Sequence, residues 1–208
     1  QIVDNFKIVP DLVNFLKNNN LRNNCKIQFF YHGFPPFLDK SKGEFFYNNI
    51  DEMILLTIDS YKEHIKYYNS LPCKFNILPN AIDKNLFYKL DFVEKQKLKE
   101  HMNFKGKTLF IWCSQDRPKK GLHIILELWK KNPNPDRILI VIGTSNKEKI
   151  EGVIFLGKIP NSELPKYYQV SDFYLFPTLC QEGFGLSLIE ALSCGCYCLA
   201  SKIGGVPE

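Results

Sequence analysis

Two glutamates eight positions apart, Glu182 and Glu190, flank Gly183-Phe184-Gly185 near the end of a 208-residue sequence. Carboxylates at that separation can grip two hydroxyl-bearing parts of one ligand, and glycines let backbone N–H groups approach it closely. A second group, Ser114–Lys120 (SQDRPKK) before Gly121, offers Arg117, Lys119 and Lys120 as fixed positive charge for an anion. Each group also has a plainer reading. Glu182 is then a solvated loop acid, Glu190 a surface helix residue, and 114–120 a solvated basic loop.

The elements that must position these residues follow from pattern. Phe173–Phe176 is a short apolar run ended by Pro177, which suits a buried strand. Leu186, Ile189, Leu192 and Ser193 recur at helical spacing from a start near Phe184, and Gly195 stops that helix. Cys196–Ala200 is the next strand. The loop holding Glu182 therefore lies at the carboxyl end of a strand, where open α/β sheets bind ligands. The helix behind it favours an anion at its N-terminus. Thr108–Cys113 (TLFIWC) is likewise a strand, with 114–120 at its carboxyl end. Leu122, Ile125, Leu126 and Trp129 then form one apolar helix face.

The block Asp172–Gly195 (DFYLFPTLCQEGFGLSLIEALSCG) resembles the signature of retaining glycosyltransferases of family 4, the glycosyl transferases group 1. The resemblance implies the GT-B fold: two Rossmann-like α/β domains whose parallel sheets face across a cleft. In that family the first Glu of the pair contacts donor-sugar hydroxyls and the second the ribose, which assigns those roles to Glu182 and Glu190. Backbone amides of Gly183, Phe184 and Gly185, with Leu186 at the helix start, would face the sugar and phosphates. The family's phosphate-binding Lys-Gly matches Lys120-Gly121. Its Arg would fall on Ser114 or Gln115, a departure that leaves Arg117 to take the role. His32, ending a strand in His-Gly, resembles a residue that touches the donor sugar or acceptor, and is otherwise a loop histidine without a ligand. Gly143 would lie against the base.

The chain before that block reads in order. Val9, Leu12, Val13 and Leu16 make a helix face, Lys26–Tyr31 a strand, and an irregular aromatic stretch follows with Phe34, Phe37, Phe45, Phe46 and Tyr47. That stretch lines an acceptor groove or simply packs. Met53–Ile58 is a strand, and Asp59 or Ser60 caps the helix after it. Phe75–Leu78 is a short strand. Pro79-Asn80-Ala81-Ile82-Asp83 resembles the family's interdomain linker, with Ala81 in place of Gly. The domains expected are 1–83, amino-terminal and acceptor-side, and 84–208, nucleotide-sugar-binding. Asp91–Asn103, rich in Lys with Glu94 and Glu100 interleaved, reads as a solvated helix. Ile138–Ile142 and Val153–Leu156 are strands. Asn161 or Ser162 caps a helix that turns Leu164, Tyr167 and Tyr168 inward. The alternation from Thr108 onward argues a parallel α/β sheet.

Composition bounds these readings. Hydrophobic content of 45% and charged content of 24% suit a soluble globular protein. The first residue is Gln1 and the last ones form a loop, so a fragment with both domains truncated is expected. Seven cysteines, an odd number, and no visible secretion signal favour a reduced, cytoplasmic setting. Cys194, Cys196 and Cys198 alternate without a nearby His, so packing of Cys196 and Cys198 on one face of a buried strand is expected rather than a metal. The net charge of +5 fits an anionic ligand, peripheral contact with an anionic membrane surface, or an ordinary solvated face. No Gly-x-Gly-x-x-Gly follows a strand, no Walker loop is present, and no Asp-x-Asp metal clamp is present. Mixed charges argue against nucleic acid.

The expectation is a nucleotide-sugar-dependent glycosyltransferase, retaining by resemblance, with a sugar or glycan acceptor. It needs no metal and no cofactor beyond its donor, because Lys120 and a helix terminus would stand where other transferases hold a metal. A non-catalytic sugar-nucleotide-binding module and a sugar-nucleotide epimerase on the same fold are the alternatives.

Overall fold

Leu109 and Ile111 alternate with Phe110 and Trp112, and such a strand buries both faces when helices flank it. The computed structural model describes residues 1–33, 35, 40–67, 73–146 and 148–208. They divide into two compact units. The first holds Gln1–Asn80 with Gln181–Phe184 and Gly204–Glu208, and the second Ala81–Cys180 with Gly185–Ile203.

Unit 1 has four parallel strands in sequence order: β1 (Ile2–Val3), β2 (Gln28–Tyr31), β3 (Glu52–Leu55) and β4 (Lys74–Ile77). Phe29 pairs with Met53, and Met53 with Phe75. Helices α1 (Val9–Asn18), α2 (Lys40–Asn49) and α3 (Ile58–Tyr67) alternate with them. Val9, Val13 and Leu16 of α1 meet Phe29, Met53 and Leu55 in one core. Phe45, Phe46 and Tyr47, expected in an irregular stretch, lie on α2, where Phe46 and Tyr47 are buried and Phe45 is exposed. Phe34 and Phe37 lie outside the described residues. The cap of α3 is also two or three residues earlier than expected. Thr57 Oγ1 accepts from the Ser60 amide at 3.1 Å, so Asp59 and Ser60 are already helical.

Unit 2 begins with α4 (Phe92–His101), capped by Asp91 and Glu94 in a reciprocal box. Next come β5 (Thr108–Cys113), α5 (Leu122–Lys131), β6 (Arg137–Ile142), β7 (Val153–Gly157) and α6 (Leu164–Val170). The remaining elements are β8 (Phe173–Phe176), α7 (Leu186–Ser193) and β9 (Tyr197–Ala200). All five strands are parallel, in the order β7-β6-β5-β8-β9. The chain therefore winds outward one way from β5 to β7 and the other way from β8 to β9. That reversal opens a crevice at the carboxyl ends of β5 and β8. Trp112, Leu139 and Val141 pack with Leu122, Ile125 and Leu126 of α5 on one face. Leu109, Ile111, Ile140 and Tyr174 are buried too.

Two expectations for unit 2 need revision. Asn161–Glu163 is a 3-10 turn, and α6 starts after it with no side-chain cap. β9 is an edge strand: Cys196 is buried just before it and Cys198 half-buried, while Tyr197 is 67% and Leu199 49% exposed.

The lysines of α4 are not simply solvated either. Lys99 is 6% exposed. Its Nζ donates to Asp172 Oδ2 at 2.6 Å and to the Lys107 carbonyl at 2.9 Å. Lys95 reaches the other Asp172 oxygen at 3.0 Å, and the Leu109 amide donates to Oδ2 at 2.8 Å. Burial alone would raise the Asp172 pKa; the Leu109 amide and the two ammoniums outweigh it, so the pKa is lowered. A lowered folded-state pKa stabilises fully above the unfolded carboxylate value, and that stability is lost as pH falls from there through the folded-state pKa. Asp172→Ala should cost about 2–3 kcal/mol at pH 7, a figure reduced for partial solvent access, because it leaves Lys99 buried without its counter-charge. Urea unfolding followed by the fluorescence of Trp112 and Trp129 measures this. Pairing Lys99→Met with Asp172→Asn should recover most of the loss, and failure to recover it would show that the charge pair is not the cause.

Candidate functional site

The loop after β5 is shaped by two close approaches. Gly121 has φ +73° and Gly143 has φ +99°, a region open to glycine. A Cβ on Gly121 would lie 2.1 Å from the Pro177 carbonyl oxygen, and one on Gly143 2.0 Å from that of Ser114. The loop following β5 is thereby held against the ends of both β6 and β8. The Leu179 amide donates to the Lys119 carbonyl at 2.8 Å, and Trp112 Nε1 donates to the Lys120 carbonyl at 3.2 Å. Pro118–Lys120 forms a 3-10 turn, with Gly121 as the N-cap of α5.

A cavity of about 970 Å³ opens over the carboxyl ends of β5, β6 and β7. Cys113, Ile142, Gly157 and Leu164 contribute apolar surface to it. Ser114, Asp116, Arg117, Gly143 and Thr144 join them from the loops after β5 and β6. Asp116 Oδ2 accepts from the Thr144 hydroxyl at 2.6 Å, a bond that ties these two loops together.

Helix α7 follows the loop at the carboxyl end of β8. Gly185, at φ +83°, is its N-cap and supplies no side-chain acceptor to the first turn. The Tyr174 hydroxyl lies 2.8 Å from Ser187 Oγ and 3.2 Å from the Cys113 carbonyl, which pins that first turn to the end of β5. Glu190, one turn further on, is half-buried, and burial pushes its carboxyl up to about 6. Its charge helps raise the thiols of Cys113, to about 11, and Cys194, to about 12, in each case after burial as the larger cause. Glu190 is thus electrostatically close to Cys113, a wall of the cavity.

Unit 1 carries the other group. Asp4, at φ +54°, ends β1 and holds His32 at two points: Oδ1 accepts from the His32 amide at 2.8 Å, and Oδ2 lies 2.7 Å from Nδ1. Gly183 packs on the His32 carbonyl, and the Gly205 amide donates to the Glu182 carbonyl at 2.8 Å.

Residues 93–208 match the family described as glycosyl transferases group 1. The chain belongs to this family. Among its relatives, the phosphatidyl-myo-inositol mannosyltransferase of Propionibacterium freudenreichii is 32% identical over 90 residues, 42% of this chain and 24% of that protein. The N-acetyl-alpha-D-glucosaminyl L-malate synthase of Bacillus anthracis is 28% identical over 141 residues, 62% of this chain and 36% of that protein. The crystal structure of Anabaena Alr3699/HepE in complex with UDP superposes with a TM-score of 0.78 at 18% identity, covering 99% of this chain and 60% of that one. That likeness establishes the GT-B fold. The chain spans about a quarter to a third of these curated relatives and three-fifths of the solved one, as a fragment would.

The sequence-predicted residues of this group 1 transferase chain fall into two sets. Arg117, Lys120, Gly143, Gly185, Leu186 and Glu190 belong to unit 2, while His32, Glu182, Gly183 and Phe184 belong to unit 1. Arg117 lines the cavity with Gly143. Asp4, Asp116, Thr144 and Ser187 were missed. Asp4 sits at the end of a two-residue strand, too short for a periodic pattern. Asp116 was legible as an acid beside Arg117, but its partner Thr144 is 28 positions away. Among the described residues no three His, Cys, Asp or Glu side chains form a metal cluster.

Glu190 gives a signed test. Its raised pKa means that the folded state binds more protons than the unfolded state between pH 4.5 and about 6, so stability falls as pH rises across that window. Glu190→Gln should therefore be about 1 kcal/mol more stable than wild type at pH 8, allowing for solvent screening, and equal to it below pH 4.5. Equal stability at pH 8 by urea unfolding would refute the buried-charge account. Gly143→Ala should lose about 2 kcal/mol or more in the same assay, because its Cβ has no room beside Ser114. Wild-type stability in that variant would mean the loop after β5 is not held there.

Proposed function

We propose that the protein of which this chain is part transfers a sugar from a nucleotide-sugar donor to a sugar or glycan acceptor, with retention of anomeric configuration. The observation that carries this reading is the fold of Asp172–Gly195. It forms β8, a loop and α7, with an N-terminus lacking a side-chain cap and a Glu190 whose charge is felt at Cys113, one of the cavity's lining residues. Two relatives bear transferase names: the Propionibacterium protein is a mannosyltransferase, and a Mycolicibacterium smegmatis relative is a GDP-mannose-dependent one.

In this reading the cavity of unit 2 receives the nucleotide. Glu190 accepts hydrogen bonds from ribose hydroxyls, and Gly143 lies against the base. Lys120 and Arg117, with the amides of Gly183, Phe184, Gly185 and Leu186, meet the diphosphate as its charge grows. Glu182 orients hydroxyls of the donor sugar. His32, held by Asp4, contacts the sugar or the acceptor. The bond from the anomeric carbon to the diphosphate oxygen breaks, and its electron pair leaves on the diphosphate. The transition state resembles an oxocarbenium ion. The acceptor hydroxyl oxygen bonds to that carbon on the same face, and its proton passes to a diphosphate oxygen. The reading assigns no resident cofactor or metal.

A cytoplasmic location, with peripheral contact to an anionic membrane surface, belongs to the same proposal. Among the described residues no helix is long and apolar enough to cross a membrane, and the net charge of +5 suits such a surface.

Thermal shift with UDP-, GDP- and ADP-sugars tests the reading. A donor at about 100 times its dissociation constant adds roughly 2.7 kcal/mol of stability. One nucleotide series should shift the melting temperature of wild type, and less so Glu182→Ala and Glu190→Ala. No shift with any donor on a folded, full-length protein would sink the transferase reading.

A further inference from the structure

The cavity of unit 2 contains one feature that phosphate binding does not call for. Asp116 is the one acidic residue among the described residues that line it. A carboxylate beside a diphosphate repels it, so a carboxylate here needs another use. Its Oδ2 is taken by the Thr144 hydroxyl at 2.6 Å. Thr144 is 1% exposed, and its Oγ1 also accepts from the Asn146 amide at 3.0 Å. Asp116 is thereby held at the cavity wall by a fixed partner. Its Oδ1 has no partner among the described residues.

We infer that Asp116 reads the base of the nucleotide and selects guanine. This rests on the reading that the cavity holds the nucleotide. The reasoning is one of donors and acceptors. Guanine presents two adjacent donors on one edge, N1–H and N2–H, which Oδ1 and the second lone pair of Oδ2 accept together. Uracil presents one donor, N3–H, between two carbonyl acceptors, and those acceptors repel a carboxylate. Adenine presents a donor, N6–H, next to the acceptor N1, which is again a mismatch. Asp116 is exposed to solvent; a base seated against it strips that water, and a carboxylate then left facing an acceptor loses far more than a contact, which gives such a site its discrimination. The surroundings suit the rest of a nucleobase. Cys113, Ile142, Gly157 and Leu164 supply apolar surface for its faces, and the ring fits a space of about 970 Å³.

Asp116→Asn separates this from a purely structural role. The amide oxygen still accepts from Thr144, so the tie between the two loops is kept. Its NH₂, however, now stands where a carboxylate oxygen was, and it donates to the carbonyl of uracil or to N1 of adenine.

The test is titration calorimetry of the chain with GDP, UDP and ADP, on wild type, Asp116→Asn and Asp116→Ala, with circular dichroism as the check of folding. Wild type should bind GDP about tenfold or more tighter than UDP and ADP, the range that one well-made polar pair discriminates. Asp116→Asn should lose most of that preference or reverse it, and Asp116→Ala should bind all three with similar affinity. Preference of wild type for UDP or ADP would overturn the inference, as would equal weakening of all three ligands by Asp116→Asn. Both outcomes leave the transferase reading standing. No binding of any of the three to a folded wild type would overturn both.

Discussion

The pairing of β8 on β5 is the contact on which the rest of unit 2 depends. It is short: Phe110 faces Phe173 and Ile111 faces Tyr174. It is fixed at its amino end by Asp172, which accepts the Leu109 amide and draws in Lys95 and Lys99 from α4. At its carboxyl end the Tyr174 hydroxyl reaches the Cys113 carbonyl. Because β5 and β8 are the strands at which the winding reverses, no crossover helix covers the ends between them. The crevice is a consequence of strand order, and the loops at its rim inherit their positions from this one seam.

What those loops present follows from close packing. The chain after β5 passes tightly under Pro177 at Gly121 and beside Gly143 at Ser114, so its backbone is held at both ends while the side chains of residues 115–119 stay exposed. Arg117 and Asp116 line the cavity, while the carbonyls of Lys119 and Lys120 are spent on Leu179 and Trp112. Behind them Glu190 is raised by burial, which makes it a carboxylate near neutrality whose desolvation any hydroxyl partner would offset. Unit 1 solves a similar problem with fewer parts. A strained Asp4 holds an imidazole at the carboxyl end of two parallel strands, and such strain tends to be kept where a side chain must be aimed.

The strongly periodic elements of this chain can be read from its sequence alone. The apolar faces of α1 and α5, the strands around Thr108–Cys113 and Phe173–Phe176, and the stop at Gly195 were all legible, because spacing of 2.0 or 3.6 is written directly in the chain. The α/β class followed from their alternation. Shorter or mixed segments were not legible. α2 carries a glycine and mostly polar residues, so nothing marked it as a helix until Phe46 and Tyr47 found a core to fill. The cap of α3 was displaced to Thr57 because several residues there could cap, and only the packed turn chooses one. Tertiary structure alone decided that Lys99 is buried, that β9 is an edge, that Thr144 holds Asp116, and that Asp4 holds His32. Each of these joins residues 28 or more positions apart, or depends on which strand lies beside which. Pattern along a chain reports only its near neighbours, whereas burial and partnership are set by the whole fold.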